Sequence, residues 1–281
     1  MTETLTAAGI TTTLVQAGDR SATEAVVFLH GLPSSHRDWD LLLPQVGAFA
    51  RAVAFDMPGL GASGPLPAGW DHRSASYGAF ISAALRELGI ARAHVVGHDF
   101  GVPWGLAWGA SEPVKWGSMV LIDSGHLRGF QGHALAQRLR RPVIGELFPY
   151  LASPAKARAS LARAPGARPL PDDFLDVLHG DWTRRNVRTM VSLYRANRPD
   201  DAALDQAQRT LAPLDVPALV IWGGRDPFLE SRFAAEQRMA FPSADVQILP
   251  ESGHWPHRDD PERANALVLS FLRKQVKLAA Y

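Results

Sequence analysis

The sequence predicts an α/β protein with a mostly parallel central sheet, helices flanking it and one inserted helical segment. Three observations predict it. Short apolar runs recur, each closing on a turn cluster. Amphipathic helical stretches separate the runs. The alternation stops once, between residues 126 and 210, where no strand pattern occurs.

The runs come in a fixed order. Residues 25–29 lead into His30 and Gly31, and residues 52–55 into Asp56, Met57, Pro58 and Gly59. Residues 94–96 end at Gly97, 119–122 at Asp123, 218–222 at Gly223 and Gly224, and 246–249 at Pro250. They are β-rich and apolar on successive residues, as strands buried on both faces are. Between them, residues 74–88 set Tyr77, Phe80, Ile81, Ala84, Leu85 and Leu88 on one stripe at spacings of three and four. Residues 261–273 repeat the pattern with Ala264, Leu267, Val268 and Leu272. Strand and helix in alternation mean a parallel sheet with crossovers. Residues 1–125 and 211–281 are therefore expected to form the core. Residues 126–210, broken by turn formers at 164–169, are expected to form a helical cap. That segment holds 14 basic against 8 acidic residues. The excess would steer anionic molecules, but a solvated basic surface explains it as well.

Bulk composition excludes several classes. The chain has 281 residues, 46% of them hydrophobic and 20% charged, with a net charge of +1. Nothing in that balance is a nucleic-acid footprint. There is no cysteine, hence no disulfide framework and no thiolate metal site. The polar, Thr-rich first 15 residues lack the pattern of a signal peptide, and no run of about 18 apolar residues would span a bilayer. A cytoplasmic protein without membrane or nucleic-acid partners is expected.

The chemistry concentrates at strand ends. Gly97-His98-Asp99-Phe100-Gly101 follows a strand and opens a helix. A sharp strand-to-helix turn lifts its middle residue above the sheet, and the flanking glycines let backbone pass closely. Taken alone, the motif also reads as a turn with a helix-capping Asp. Asp226 and His254 change that. They follow the last two strands, so all three residues sit where open α/β sheets build their sites. Asp123 also follows a strand and is the alternative to Asp226. The loop at His30-Gly31-Leu32-Pro33 faces the same end.

These blocks, H-G-L-P, D-M-P-G-L-G-A-S, G-H-D-F-G and S-G-H-W-P, resemble the α/β-hydrolase superfamily outside the inserted segment. An Asp at the elbow is similar to the epoxide hydrolase and haloalkane or haloacetate dehalogenase branch. The resemblance implies Asp99 as nucleophile, His254 as general base and Asp226 as the acid that orients it. The backbone N–H groups of Leu32 and Phe100 would form the oxyanion hole.

A carboxylate attacking a carbonyl would give an anhydride, whereas at saturated carbon it displaces a leaving group and becomes an ester. Epoxides and carbon–halogen bonds suit that chemistry. An epoxide needs a proton donor. Tyr194, followed by Arg195, is similar to the cap tyrosine that serves epoxide hydrolases, with Tyr150 as a second. A halide needs N–H donors. Haloalkane dehalogenases carry them at the positions of Leu32 and Phe100, and haloacetate dehalogenases carry Arg at those of Phe100 and Pro103. None of these residues fits. Trp182 remains an indole donor, and Trp182 and Trp255 are expected to line an apolar pocket. The sequence thus points first to epoxide hydrolysis of a small apolar electrophile. Dehalogenation comes second and a non-catalytic binding protein third. No cofactor and no metal are expected.

Overall fold

The computed structural model describes residues 1–162 and 166–276; the breakers Ala164 and Pro165 lie outside them. Eight strands form one sheet in the order β1-β2-β4-β3-β5-β6-β7-β8. The strands are β1 (Thr2–Ala7), β2 (Ile10–Ala17), β3 (Glu24–Leu29), β4 (Arg51–Phe55), β5 (Arg92–His98), β6 (Trp116–Ile122), β7 (Ala218–Gly223) and β8 (Asp245–Leu249). β1 pairs antiparallel with β2, and β2 with β4; every other pair is parallel.

Period-two alternation divides the strand residues between two cores. Val27, Leu29, Phe55, Val95 and Leu121 face helices α1 (Ser74–Glu87) and α2 (Gly101–Ser111). There Tyr77 stacks on Trp104 with ring centroids 4.4 Å apart. Val26, Phe28, Val96, Ile122 and Ile221 face the opposite way. They pack with Ala264, Val268 and Leu272 of the C-terminal helix, Pro261–Gln275. The stripe read at 74–88 is the buried one, except that the helix ends at Glu87 and Leu88 caps it.

Two elements differ from the sequence reading. The Thr-rich N-terminus is a β-hairpin. Ala8 and Gly9 both have positive φ (50° and 74°), the twist a two-residue hairpin turn requires. Its signal was the alternation of Ile10, Thr12 and Leu14, which are buried while their neighbours are less so. β8 is also not buried on both faces. It is the edge strand, and Asp245 and Ile248 are exposed.

Between β6 and β7 the described residues form six helices and no strand. They are Ala134–Arg140, Ile144–Leu151, Pro154–Leu161, Asp172–Asp181, Arg184–Ala196 and Asp201–Leu211. Leu139, Val187, Met190 and Leu193 from them join the core on the α1–α2 side. Among the described residues no helix is long and apolar enough to cross a membrane.

Candidate active site

The turn after β5 is strained in the way its sequence suggests. Asp99 has φ +48°, a left-handed conformation that raises its side chain over the sheet end. A Cβ on Gly101 would lie 2.0 Å from the Leu29 carbonyl oxygen, so the helix start can press against β3 only without a side chain. Leu32 in the loop after β3 donates its amide to Asp99 Oδ1 at 2.9 Å. His30 fixes that loop. Its Nδ1 donates to the Gly31 carbonyl at 2.9 Å, while its Nε2 accepts from Met57 N–H at 2.9 Å. The amide of Phe100 lies at the N-terminal cap of α2. The turn at residues 56–63 is organised by Asp56, which accepts from Ala62 N–H (2.7 Å) and His36 N–H (2.8 Å) and lies outside the cavity lining.

His254 reaches the same point from the loop after β8. Its Nε2 is 3.5 Å from Asp99 Oδ2. Its Nδ1 donates to Asp226 Oδ2 at 2.7 Å, and Asp226 Oδ1 accepts from the amides of Phe228 (2.7 Å) and Leu229 (3.0 Å). Burial works against the charge on His254, but Asp226 and Asp99 outweigh it and hold the imidazole well above its ordinary range. Burial likewise opposes ionisation of Asp99, and the His254 hydrogen bond and charge reverse it, so the carboxyl lies below the usual range. Each charge favours the other, the Asp99 carboxylate and the His254 imidazolium. The two oxygens of Asp99 are thereby distinguished: Oδ1 is held by an amide and Oδ2 faces the His254 imidazole.

Asp123 stands behind the triad, fully buried, with φ +43°. Its Oδ1 accepts from Gly223 N–H at 2.7 Å, and its Oδ2 finds no donor. Burial and the neighbouring Asp226 carboxylate push its carboxyl well above the usual range. The imidazole is bonded to Asp226, and Asp123 is a neighbour of that pair.

Four further histidines were not singled out in the sequence as site residues. His30 has been described. His98 donates Nε2–H to the His254 carbonyl at 2.7 Å, tying the base's backbone to the elbow. Asp38 lies 3.5 Å from His98 Nδ1, and His257 completes a buried cluster whose nitrogen and oxygen atoms lie within 4.8 Å of one another. His133, at the start of the helix Ala134–Arg140, reaches the cavity. Its Nδ1 accepts from Ala136 N–H at 3.4 Å, so the hydrogen is on Nε2, 3.1 Å from the Tyr194 hydroxyl. Burial holds His133 down to about 4, so it is neutral. The only sequence signal was a lone His before a helix, which ordinarily marks a cap.

A cavity of about 1670 Å³ opens above these groups. Asp99, His254, His133, Tyr194, Trp182 and Trp255 all line it. Tyr194 stands edge-on to the Phe100 ring, with centroids 5.5 Å apart. Burial and the Asp99 charge push its hydroxyl above the ordinary phenol range. Because His133 donates to the Tyr194 oxygen, the Tyr194 hydrogen remains free for a ligand. The Trp182 indole N–H is buried without a protein partner. Tyr150 is not brought to the cavity. It is 55% exposed, lies beneath Arg184 and Arg188, and its hydroxyl accepts from Arg188.

A profile of the alpha/beta hydrolase family matches residues 26–267, and the chain belongs to that family. A 2-hydroxy-6-oxononadienedioate/2-hydroxy-6-oxononatrienedioate hydrolase of Burkholderia vietnamiensis is 30% identical, over 89% of this chain and 88% of its own length. A dihydrolipoyllysine-residue acetyltransferase component of an acetoin cleaving system from Pseudomonas putida is 28% identical over 89% of this chain. This chain spans only 63% of that protein's length. Two solved structures share the fold. A haloalkane dehalogenase from Agrobacterium tumefaciens C58 superposes with TM-score 0.81 at 20% identity, covering 98% of this chain and 97% of its own. An epoxide hydrolase from an endophytic Streptomyces gives 0.78 at 21%, covering 99% and 97%.

Proposed function

We propose that the protein is an epoxide hydrolase that works through an ester on Asp99, with the six inserted helices serving as its cap. The observation that carries this reading is the pairing of two groups on one cavity. One is an elbow carboxylate with its base behind it. The other is a Tyr194 hydroxyl whose hydrogen is free because His133 occupies its oxygen.

The steps follow from the atoms. Asp99 Oδ2 attacks an epoxide carbon, the carbon–oxygen bond breaks, and the departing alkoxide takes the Tyr194 proton. His133 Nε2–H supports the phenolate left behind. Asp99 Oδ1 becomes the carbonyl oxygen of the ester, already against the Leu32 amide. Formation of a neutral ester removes one of the two charges that hold the His254 proton. That proton passes through the cavity to the Tyr194 phenolate, which restores the acid and leaves the imidazole free to act as a base. It then takes a proton from water, hydroxide attacks the Asp99 carboxyl carbon, and the negative charge falls on Oδ1 between the amides of Leu32 and Phe100. Collapse releases the diol and regenerates the carboxylate.

Dehalogenation is the second reading, favoured by the unpartnered Trp182 indole in the cavity. The side chains of Leu32 and Phe100 offer no hydrogen to a halide. Attack of Asp99 on a carbonyl carbon would instead require an anhydride.

The test is to trap the ester. His254→Ala, mixed with styrene oxide or a bromoalkane, should gain one substrate mass or one alkyl fragment on the peptide holding Asp99. Diol formation by the wild type selects the first reading and halide release the second. No adduct, together with heavy oxygen from water entering product in a single turnover, would defeat the nucleophile assignment.

A further inference from the structure

The cavity is aromatic near Asp99 and basic along its more exposed lining. Arg73, Arg138, Arg140, Arg198 and Lys156 line it, and among the described residues none of the five forms an ion pair. Asp200 is the only acidic lining residue besides Asp99, and Arg195 is already bound to Glu146 at 2.6 Å.

Arg140 is held as the other four are not. Its Nε donates to the Tyr194 carbonyl at 3.0 Å and its Nη1 to the Gln131 carbonyl at 2.9 Å. The guanidinium lies over Gly132, where a Cβ would come within 2.7 Å of Nη1. Among the described residues Nη2 has no acceptor. The side chain is half-buried, and burial depresses its pKa, with no carboxylate to compensate. Its charge is close enough to Tyr194 to oppose the upward shift of that hydroxyl. A guanidinium fixed through two nitrogens, partly stripped of water and lacking a counter-charge, is prepared for an anion.

We propose that Arg140 anchors an anionic group, a carboxylate, on the molecule that reaches Asp99. The substrate is then an amphipathic acid. Its apolar body lies against Phe100, Trp182 and Phe228, and its charged end is held by the free edge of Arg140, away from the negative nucleophile. Arg198, near enough to depress the Arg140 charge, adds to the same field. The inference rests on the Asp99 reading for the identity of the reacting end, and on the cavity alone for the anion.

The test separates the two. Binding is measured by tryptophan fluorescence or calorimetry with unreactive 3-phenylpropanoate and its amide, and turnover with 3-phenylglycidate and its methyl ester. Wild-type protein should prefer the acid by about tenfold or more, as a charge-assisted bond in a half-buried site does. The preference should shrink with added salt. Arg140→Gln should abolish it and Arg140→Lys should keep part of it, with near-ultraviolet circular dichroism showing that both variants fold. Equal binding of acid and amide by the wild type overturns the anchor without using any variant. A preference that survives Arg140→Gln moves the anion elsewhere on the lining and also overturns it. Turnover of neutral epoxides with no acid preference would leave the Asp99 reading standing and the anchor defeated. Acid preference with no ester on Asp99 would do the reverse.

Discussion

The floor of the cavity is built by backbone and its roof by side chains. On the floor, Asp99, Asp123, Asp226 and His254 all follow strand ends of one parallel sheet, so strand register sets their spacing. Amides of Leu32, Gly223, Phe228 and Leu229 hold their oxygens. On the roof, the Tyr194 hydroxyl depends on a single hydrogen bond with His133 at the start of another helix, and Arg140 on carbonyls of its neighbours. A main-chain donor survives most substitutions nearby, whereas a side-chain contact between helices does not. The floor should therefore respond to substitution in large, all-or-none steps, and the roof in smaller, graded ones.

The largest contrast is expected on the floor itself. Asp226→Asn should lower turnover about 100-fold or more, because the ionised partner of His254 is lost. Asp123→Asn should change it by only about threefold, since burial and the Asp226 charge already disfavour the ionised form of its carboxyl and an amide leaves the charge beside His254 intact. Infrared difference spectra should show the carbonyl stretch of a protonated carboxyl in the wild type at pH 7 and not in Asp123→Asn. Reversed kinetic effects would make Asp123 the acid and break the description of the floor.

On the roof, Tyr194→Phe should slow alkylation of Asp99 by about 10- to 100-fold while ester hydrolysis is nearly unchanged. Stopped-flow measurement of the two steps distinguishes them. Tyr150→Phe should alter neither, because its hydroxyl is engaged by Arg188 at the surface. An effect of Tyr150→Phe as large as that of Tyr194→Phe would mean the roof closes differently around substrate.

The smallest effect is a pH shift. Imidazole titration by NMR should place His254 in the free enzyme well above the ordinary histidine value, since Asp226 and Asp99 both favour its charge. Ester hydrolysis requires the neutral ring, and the ester has lost the Asp99 charge. Its acid limb should therefore fall at lower pH than the free-enzyme titration, by about one unit or more. Coincidence of the two values would show that Asp99 keeps its charge throughout and that no ester forms.

The strands from β3 to β7 were legible because each is buried on both faces and must read as an apolar run. β1 and β2 were not, since threonines alternating with small apolar residues carry a weaker signal than a full hydrophobic run. The edge position of β8 lies in the sheet order, which no local pattern contains. Asp99 and His254 were legible because fixed strand–turn grammar surrounds them. Tyr194 was found through its segment, but His133, 61 residues away in the chain, was not, because only helix packing joins them.

The sequence by itself determined the alternating strands and helices, the strained elbow at Asp99, and the order of Asp99, Asp226 and His254 along the sheet end. These depend on local conformation and on burial of contiguous residues, both of which are written in short stretches of chain. Tertiary structure alone decided that His254 bonds Asp226 while Asp123 stands behind the pair, that His133 frees the Tyr194 hydrogen, and that among the described residues Arg140 meets no carboxylate. Each of those outcomes turns on which donors and charges lie within a few ångströms in space, a distance that separation along the chain does not encode.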